Sequence, residues 1–147
     1  MKTRHYTLKN YTLDGSVGFL LKQAFSVVEK RFTVELKKKC PEATAPQWAI
    51  LMLLGNKKCK TAAGLSTVMG CDMGSITRML DRLEAKGLIQ RLRSTDDRRV
   101  VNLSLTDSAK GLLPRLPVAP VNMLNVLLKD FTKEEVGNFP RRLEFTD

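Results

Sequence analysis

A chain of 147 residues is long enough for one domain with a modest core, and its formal net charge of +10 suits a polyanionic partner. The charge lies in the N-terminal part and the centre, since residues 1–41 carry 9 basic and 3 acidic side chains and residues 55–111 carry 11 and 6, whereas residues 112–147 carry 5 of each. The single histidine, His5, leaves too few ligands for a His/Cys zinc site, and the chain has neither a plausible catalytic triad nor a phosphate-binding glycine loop. We therefore expect no metal, no cofactor and no enzymatic activity.

The three cysteines indicate the compartment. Cys40, Cys59 and Cys71 form no CxxC pair, no apolar run is long enough to span a membrane, and the first ten residues lack an export signal. These features favour a reduced, cytoplasmic protein with no membrane partner. A small apolar packing role is favoured for Cys71, with a redox switch as the alternative.

The first predicted helix covers residues 16–39, which contain no proline and are apolar around much of the helix girth. Such a helix is about 35 Å long, more than a small globule needs. We expect part of it to pack on another subunit; the alternative is a core helix in a monomer. Cys40 and Pro41 end it.

Two shorter helices follow. Thr44 and Gln47 have the spacing of a capping box, which predicts a second helix through Trp48 to Gly55. After a basic loop at residues 56–60, a third helix is expected from about Thr61, its cap, to Met69, and Gly70 ends it.

A fourth helix begins after only three intervening residues. Asp72 can cap its first turn, Gly87 supplies a left-handed stop, and an apolar stripe recurs at helical spacing on Ile76, Met79, Leu80 and Leu83. The opposite face is polar and carries two arginines. This tight spacing of two helices is typical of a helix-turn-helix whose second helix enters the DNA major groove.

A hairpin is predicted next, with strands at residues 88–93 and 100–105. The turn between them, residues 94–99, is polar and ends in Arg98 and Arg99. A hairpin directly after a helix-turn-helix is a wing, and arginine suits its tip because a guanidinium fits the narrow, electronegative minor groove.

The C-terminal part is divided by prolines. Thr106 and Asp107 can start a short helix to Leu113, after which Pro114, Pro117 and Pro120 predict a kinked or extended stretch. Helix is expected again near residues 121–129. A second capping box at residues 132–135 opens a last helix that Pro140 cuts or bends.

The central residues resemble a known family. The motifs Thr-Arg, Asp-Arg-Leu-Glu, Lys-Gly-Leu, Arg, Asp-x-Arg and Leu-Thr follow one another in SITRMLDRLEAKGLIQRLRSTDDRRVVNLSLTDSAKGLL, and Ala-Pro-Gln-Trp at residues 45–48 resembles the family's helix opening. These spacings resemble those of the MarR-type (multiple antibiotic resistance regulator) winged helix-turn-helix transcriptional regulators. The resemblance covers residues 16–113 well.

The resemblance implies a fold and an assembly. The fold is mainly α with a small β-hairpin wing, a winged helix-turn-helix with N- and C-terminal dimerisation helices. Residues 1–44 would form an N-terminal arm and dimerisation helix, residues 45–106 the DNA-binding domain, and residues 107–147 the C-terminal dimerisation helices. The protein would then act as an obligate homodimer on double-stranded DNA, at a pseudo-palindromic operator, usually as a repressor.

The resemblance also implies site residues. Ser75, Thr77, Arg78 and Arg82 would meet the major groove. Asp97, Arg98 and Arg99 would carry the wing, where Asp97 is expected to orient an arginine because a bare carboxylate repels phosphate. Phosphate contacts are expected from Thr61, Lys57, Lys58 and Lys60.

An effector is a hypothesis that rests on the resemblance alone. The family often binds small aromatic or phenolic anions between the dimer helices and the DNA-binding lobe, and Phe19, Phe25, Arg31 and Trp48 are candidates to line such a cleft. The alternative function is a winged-helix protein-interaction module or a non-specific architectural DNA-binding module. The arginines on the fourth helix and the wing favour the sequence-specific regulator.

Overall fold

The computed structural model describes residues 4–142, with side chains described as far as Phe139. Within this range the chain is mainly helical with one two-stranded antiparallel sheet, as the sequence predicts. The elements in order are α1 Val17–Lys39, α2 Ala45–Gly55, α3 Ala62–Met69, α4 Met73–Ala85, β1 Ile89–Arg93, β2 Val101–Leu105, α5 Asp107–Leu112, α6 Val118–Leu127 and α7 Lys133–Arg142.

Helices α1, α3, α4 and α5 begin at the residues that the sequence indicates. Ser16, Thr61, Asp72 and Thr106 each accept, through a side-chain oxygen, the backbone N–H three residues later, at 2.9–3.3 Å. Such caps satisfy N–H groups that have no partner inside the helix. The ends of α3 and α4 are followed by the glycines at positions 70 and 87, whose φ angles of 61° and 68° are left-handed as expected.

The core lies between α2, α3, α4 and the hairpin. Its largest fully buried side chains are aliphatic apart from Cys40, namely Ile50, Leu51, Leu65, Ile76, Leu80, Leu83, Ile89, Leu116 and Cys40. The stripe of α4 that the periodicity predicts faces this core, with Met79 partly buried at its margin. Because one face of α4 is fixed by the core, its polar face is turned to solvent.

The hairpin is antiparallel, with Ile89 opposite Leu105 and Arg93 opposite Val101. Each strand begins one residue later than predicted. The backbone N–H of Leu103 donates to the carbonyl of Lys60 at 2.7 Å, so the α2–α3 loop is bonded to the wing strand β2.

The proline-rich segment differs from the prediction in two ways. It is kinked but not extended, since the N–H groups of Arg115 and Leu116 both donate to the carbonyl of Leu112 in a turn that continues α5. Helix α6 then starts at Val118, three residues earlier than predicted, and includes Pro120. A proline in the first turn is tolerated because the N–H that it lacks has no partner there. Helix α7 continues through Pro140 to Arg142. Pro140 therefore does not end the helix.

A large apolar surface has no partner in the described part of the chain. Helix α1 packs along α6, yet Leu36 is its only buried residue. Large apolar side chains remain exposed on α1, α6 and α7, namely Val17, Leu20, Phe25, Val27, Val34, Val118, Val121, Leu124, Val126, Val136 and Phe139. Within residues 4–142, no helix combines the length and the apolarity that crossing a membrane requires.

Candidate nucleic-acid interface

The helix-turn-helix consists of α3, the turn at residues 70–72, and α4. The core holds α4 by its apolar stripe, so the residues between the stripe positions project away from the protein. Thr77, Arg78 and Arg82, three of the four predicted major-groove residues, are exposed, and Ser75 is half-buried.

A chain of hydrogen bonds orders the first turns of α4. The Asp72 carboxylate accepts the Ser75 backbone N–H at 2.9 Å and the Ser75 hydroxyl at 2.6 Å, and Ser75 Oγ accepts a guanidinium N–H of Arg78 at 3.1 Å. The Ser75 hydroxyl and backbone N–H hold the pKa of Asp72 below its usual value. Ser75 therefore orients Arg78, which leaves the guanidinium with further N–H groups free to donate.

Arg82 lies one turn beyond Arg78. The two arginines line a shallow groove of about 280 Å³ together with Ser75 and Met79 of α4 and with residues 44, 46 and 47 at the start of α2. Thr77 has its hydroxyl engaged with the Met73 carbonyl of its own helix at 2.8 Å. The strongest donors on the outward face of α4 are thus the two guanidinium groups.

The wing tip is a compact turn. The Ser94 N–H donates to the Val100 carbonyl, and the Val100 N–H to the Asp97 carbonyl, both at 2.9 Å. The Asp97 carboxylate accepts the backbone N–H of Arg99 at 2.9 Å and two of its guanidinium N–H groups at 3.2 and 3.3 Å. The backbone N–H of Arg99, together with its side chain, lowers the pKa of Asp97.

Both wing arginines are accessible. The Arg99 side chain is 91% exposed despite its contact with Asp97. Arg98 is also exposed, and its side chain has no hydrogen bond to the described residues. Asp97 thus contacts an arginine, as the sequence analysis expects.

The α2–α3 loop presents its three lysines, Lys57, Lys58 and Lys60, to solvent. Lys57 has a positive φ of 55°, and its N–H donates to the Leu54 carbonyl at 3.1 Å. Thr61 Oγ accepts the Gly64 N–H at 3.1 Å, which leaves the hydroxyl hydrogen free to donate outward.

Sequence reasoning missed Arg91 on β1. Its guanidinium donates to the Asp81 carboxylate at 2.7 Å and also pairs with Glu84, so it joins the wing to α4. The hydrogen bond to Asp81 is the largest cause of a raised Arg91 pKa. The sequence feature that could have revealed this contact is the i, i+3 pair of carboxylates on α4, followed by an arginine on the next strand.

The four residues proposed for an effector cleft lie in different surroundings. Phe25 is 66% exposed on α1. The Trp48 ring packs edge-on against Phe32, with centroids 4.8 Å apart, and its indole N–H donates to the Leu116 carbonyl at 2.8 Å. Arg31 lines a groove between α1 and α6, and none of the predicted aromatic residues is among that groove's lining. Phe19 is half-buried on α1.

The cysteines are free thiols. Cys40 and Cys59 are buried, and Cys71 is half-buried with its thiol donating to the Met69 carbonyl at 3.5 Å. Burial is the main cause of a raised pKa at Cys40. In the part of the chain that the structure describes, no three His, Cys, Asp or Glu side chains are grouped to hold a metal ion.

Comparison with known proteins identifies relatives along most of the chain. The MarR family profile matches residues 43–101. The transcriptional regulator SarZ of Staphylococcus haemolyticus is 30% identical over 74% of this chain and 73% of its own length, and MarR of Salmonella typhimurium is 35% identical over 65% and 67%.

A solved structure has the same fold. A mutant of Escherichia coli MarR in complex with operator DNA is 27% identical to this chain and superposes with a TM-score of 0.77, over 87% of this chain and 91% of that one. Profile, sequence and fold agree, and the chain belongs to the MarR family.

Proposed function

We propose that this protein is a DNA-binding transcriptional regulator that acts as a homodimer on a pseudo-palindromic operator, as a repressor. The observation that carries the proposal is the capped helix α4, which presents Arg78 and Arg82 on its outward face beside an arginine-tipped wing. Guanidinium groups on a helix of this kind suit the O6 and N7 acceptors of guanine in the major groove.

The proposed contacts fall into three sets. Arg78 and Arg82 read base edges, with Ser75 positioning Arg78 and Thr77 beside them. In the wing, Arg98 and Arg99 enter the minor groove and Asp97 positions Arg99. Thr61 and the lysines of the α2–α3 loop bind phosphate oxygens, which fixes the register without reading sequence.

The proposed division of labour follows the exposed apolar surface. Residues 45–106 bind DNA, whereas residues 1–44 and 107–147 dimerise. The exposed apolar side chains of α1, α6 and α7 support a homodimer, because a monomer seldom leaves so much contiguous apolar surface in water. Residues 1–3 and 143–147 of these regions lie outside the described part of the chain.

Release by a small aromatic or phenolic effector is the remaining part of the proposal. Phe19, Phe25, Arg31 and Trp48 are its candidate contacts, and the assembled dimer would have to bring them together. The bond from the Trp48 indole to the Leu116 carbonyl supports such coupling, because it connects α2 of the DNA-binding lobe to the segment that leads into α6.

The test is selection of bound sequences from a random duplex pool, followed by binding of variants to the winning duplex. Two chains should bind a palindrome with half-sites about one helical turn apart. Arg78→Ala or Arg82→Ala should lose about 1–3 kcal/mol of discrimination at one base pair. Arg99→Ala should weaken binding to all sequences and lower the salt slope by about 1.

Lys129→Ala is the matched control, since this exposed lysine lies beyond α6 and should leave DNA binding unchanged. Enrichment of no sequence, with a steep salt dependence, would replace the proposal by a non-specific architectural role. Complete absence of DNA binding would instead favour the protein-interaction module.

A further inference from the structure

The outward face of α4 contains one position without a side chain. Gly74 is the second residue of the helix and is exposed to solvent. Its φ is not positive, so the backbone conformation does not require glycine at this position. Alanine also stabilises an exposed helix position relative to glycine. Neither the shape nor the stability of α4 therefore accounts for Gly74.

The Arg78 guanidinium lies beside Gly74. Residues three and four positions further on are neighbours on a helix surface, and for Gly74 these are Thr77 and Arg78. A methyl group added at Gly74 would lie 3.6 Å from Arg78 Nη1 and 3.1 Å from Asp72 Oδ1. The other terminal nitrogen of Arg78 donates to Ser75 Oγ, which holds the guanidinium in this place. The arginine proposed to read guanine thus adjoins uncovered helix backbone.

Apolar groups adjoin Gly74 as well. The Thr77 hydroxyl donates to the Met73 carbonyl at 2.8 Å, so the methyl group of Thr77 is the part that remains for an apolar contact. The Met73 side chain, one helical turn before Thr77, is 47% exposed. We call the recess formed by Met73, Gly74 and Thr77 the α4 notch.

We propose that the α4 notch reads a thymine, whose 5-methyl group packs on the backbone of Gly74 and on the methyl group of Thr77. The 5-methyl group is what distinguishes thymine as an apolar contact in the major groove, and threonine methyl groups suit it. Because the Arg78 guanidinium adjoins the notch, this thymine lies in the base pair next to the guanine that Arg78 contacts. The proposal rests on the proposed function and adds a second base to what α4 reads.

Gly74 then determines specificity through the side chain that it lacks. Glycine allows the backbone of a helix to approach a ligand closely. A Cβ at this position would lie between the backbone and the thymine methyl group, and would hold the N-terminal part of α4 away from the bases. The same displacement would carry Arg78 away from its guanine.

The test moves one methyl group between the DNA and the protein. Thymines of the selected operator are replaced one at a time, in one half-site, by deoxyuridine, which lacks only the 5-methyl group. Replacement next to the guanine that depends on Arg78 should weaken binding of the natural protein about fourfold, the effect of uncovering one methyl group. Fluorescence anisotropy of labelled duplexes measures the affinities.

Gly74→Ala should reverse this preference. Its added methyl group collides with that of thymine, so the variant should bind the selected operator about tenfold more weakly. It should bind the deoxyuridine operator more tightly than the thymine operator, because the methyl group of alanine fills the space that the thymine methyl group has left.

Gly18→Ala is the matched control. Gly18 is likewise the second residue of a capped helix, α1, and a methyl group added there meets no described atom within 4 Å. This variant should keep the natural preference for thymine over deoxyuridine.

A structural effect of Gly74→Ala gives a different result. The added methyl group also approaches the Asp72 carboxylate, so a displaced cap would weaken DNA binding without any contact to thymine. Such an effect would lower the affinities for the thymine and the deoxyuridine operators by the same factor, which would overturn the proposal. The deoxyuridine series with the natural protein does not depend on the folding of any variant.

The outcomes also separate this proposal from the proposed function. Absence of sequence-specific DNA binding would overturn both. Specific binding without a thymine next to the Arg78-dependent guanine, or with equal affinity for thymine and deoxyuridine there, would overturn the reading of thymine alone and leave the regulator in place.

Discussion

At the scale of single residues, Asp72 carries two roles through one carboxylate. It caps α4, and through the Ser75 hydroxyl it also orients the Arg78 guanidinium before DNA is bound. A base-reading arginine that is held before it meets DNA loses less conformational entropy on binding. On the proposed mode of binding, helix stability and DNA recognition are therefore coupled at this residue.

The lowered pKa of Asp72 predicts a pH dependence. Because its folded-state pKa is below the unfolded value, the stability that Asp72 contributes is present above the unfolded pKa and is lost as the pH falls through the folded pKa. Asp72→Ala should be less stable than the natural protein to urea at pH 7, and the difference should shrink below about pH 4.

Asp107→Ala is the matched control, since Asp107 is an exposed acid in the first turn of α5 and its Thr106 cap remains in place. An equal loss of stability in Asp72→Ala at pH 7 and at pH 3 would show that the ionised carboxylate does not stabilise α4.

The capping residues were predictable because a cap bonds to residues three positions away, which the sequence displays directly. The partners of Arg91 and Trp48 were not. Trp48 bonds to a carbonyl 68 residues further on, and Arg91 reaches back across a turn to a helix face. Such contacts depend on how the elements pack, and residue spacing alone does not predict this packing.

At the scale of elements, Arg91 joins the base of the wing to α4. Two carboxylates of one helix share the guanidinium of a strand residue whose side chain is only 29% exposed. We therefore expect Arg91 to help place the wing relative to the outward face of α4.

Arg91→Gln should affect DNA binding more than stability. Both carboxylates are substantially exposed, so the cost in unfolding free energy should be about 1 kcal/mol or less. Operator affinity should fall by about tenfold, because the wing no longer stays in register with α4. Urea unfolding and operator titration of the same variant measure both quantities.

The double variant Arg91→Gln/Arg99→Ala tests the reason for the loss. If Arg91 acts by placing the wing, the loss of operator-binding free energy in the double variant should be smaller than the sum of the losses in the two single variants. Strict additivity would mean that Arg91 does not act through the wing arginine.

The proline-rich segment marks the limit of prediction at this scale. Three prolines correctly indicated a break after α5, because proline disfavours a helix interior. The pattern did not reveal that Pro120 lies in the first turn of α6, where it is harmless. That distinction depends on where the preceding turn ends, and the buried Leu116 side chain fixes this point through packing.

At the scale of the whole molecule, the exposed apolar surface of α1, α6 and α7 is the main feature that one chain leaves unexplained. The apolar girth of α1 had predicted a further subunit, and the structure buries only one residue of that helix. The net charge does not follow the same division, since residues 1–44 and residues 45–106 each carry +5 and residues 107–147 carry none.

Substitution on this surface should dissociate the proposed dimer. Leu124→Glu places a charge on the exposed face of α6 and should raise the dimer dissociation constant by at least about 30-fold, the effect of losing about 2 kcal/mol. Sedimentation velocity over a range of concentrations measures this, with circular dichroism to show that the helices persist.

Val68→Glu is the matched control, because Val68 is also an exposed aliphatic residue but lies on α3. A natural protein that sediments as a monomer at every concentration, or equal dissociation in both variants, would contradict dimerisation through α6.

The bond between Leu103 N–H and the Lys60 carbonyl has a consequence for which operators are preferred. It bonds the proposed phosphate-binding loop to β2 of the wing, so on the proposed mode of binding the loop and the wing tip stay a constant distance apart. The protein would then favour DNA whose phosphates are separated by that distance. Duplexes whose minor groove already has the matching width, as stiff A-tracts can, would bind more tightly at base pairs that no side chain touches.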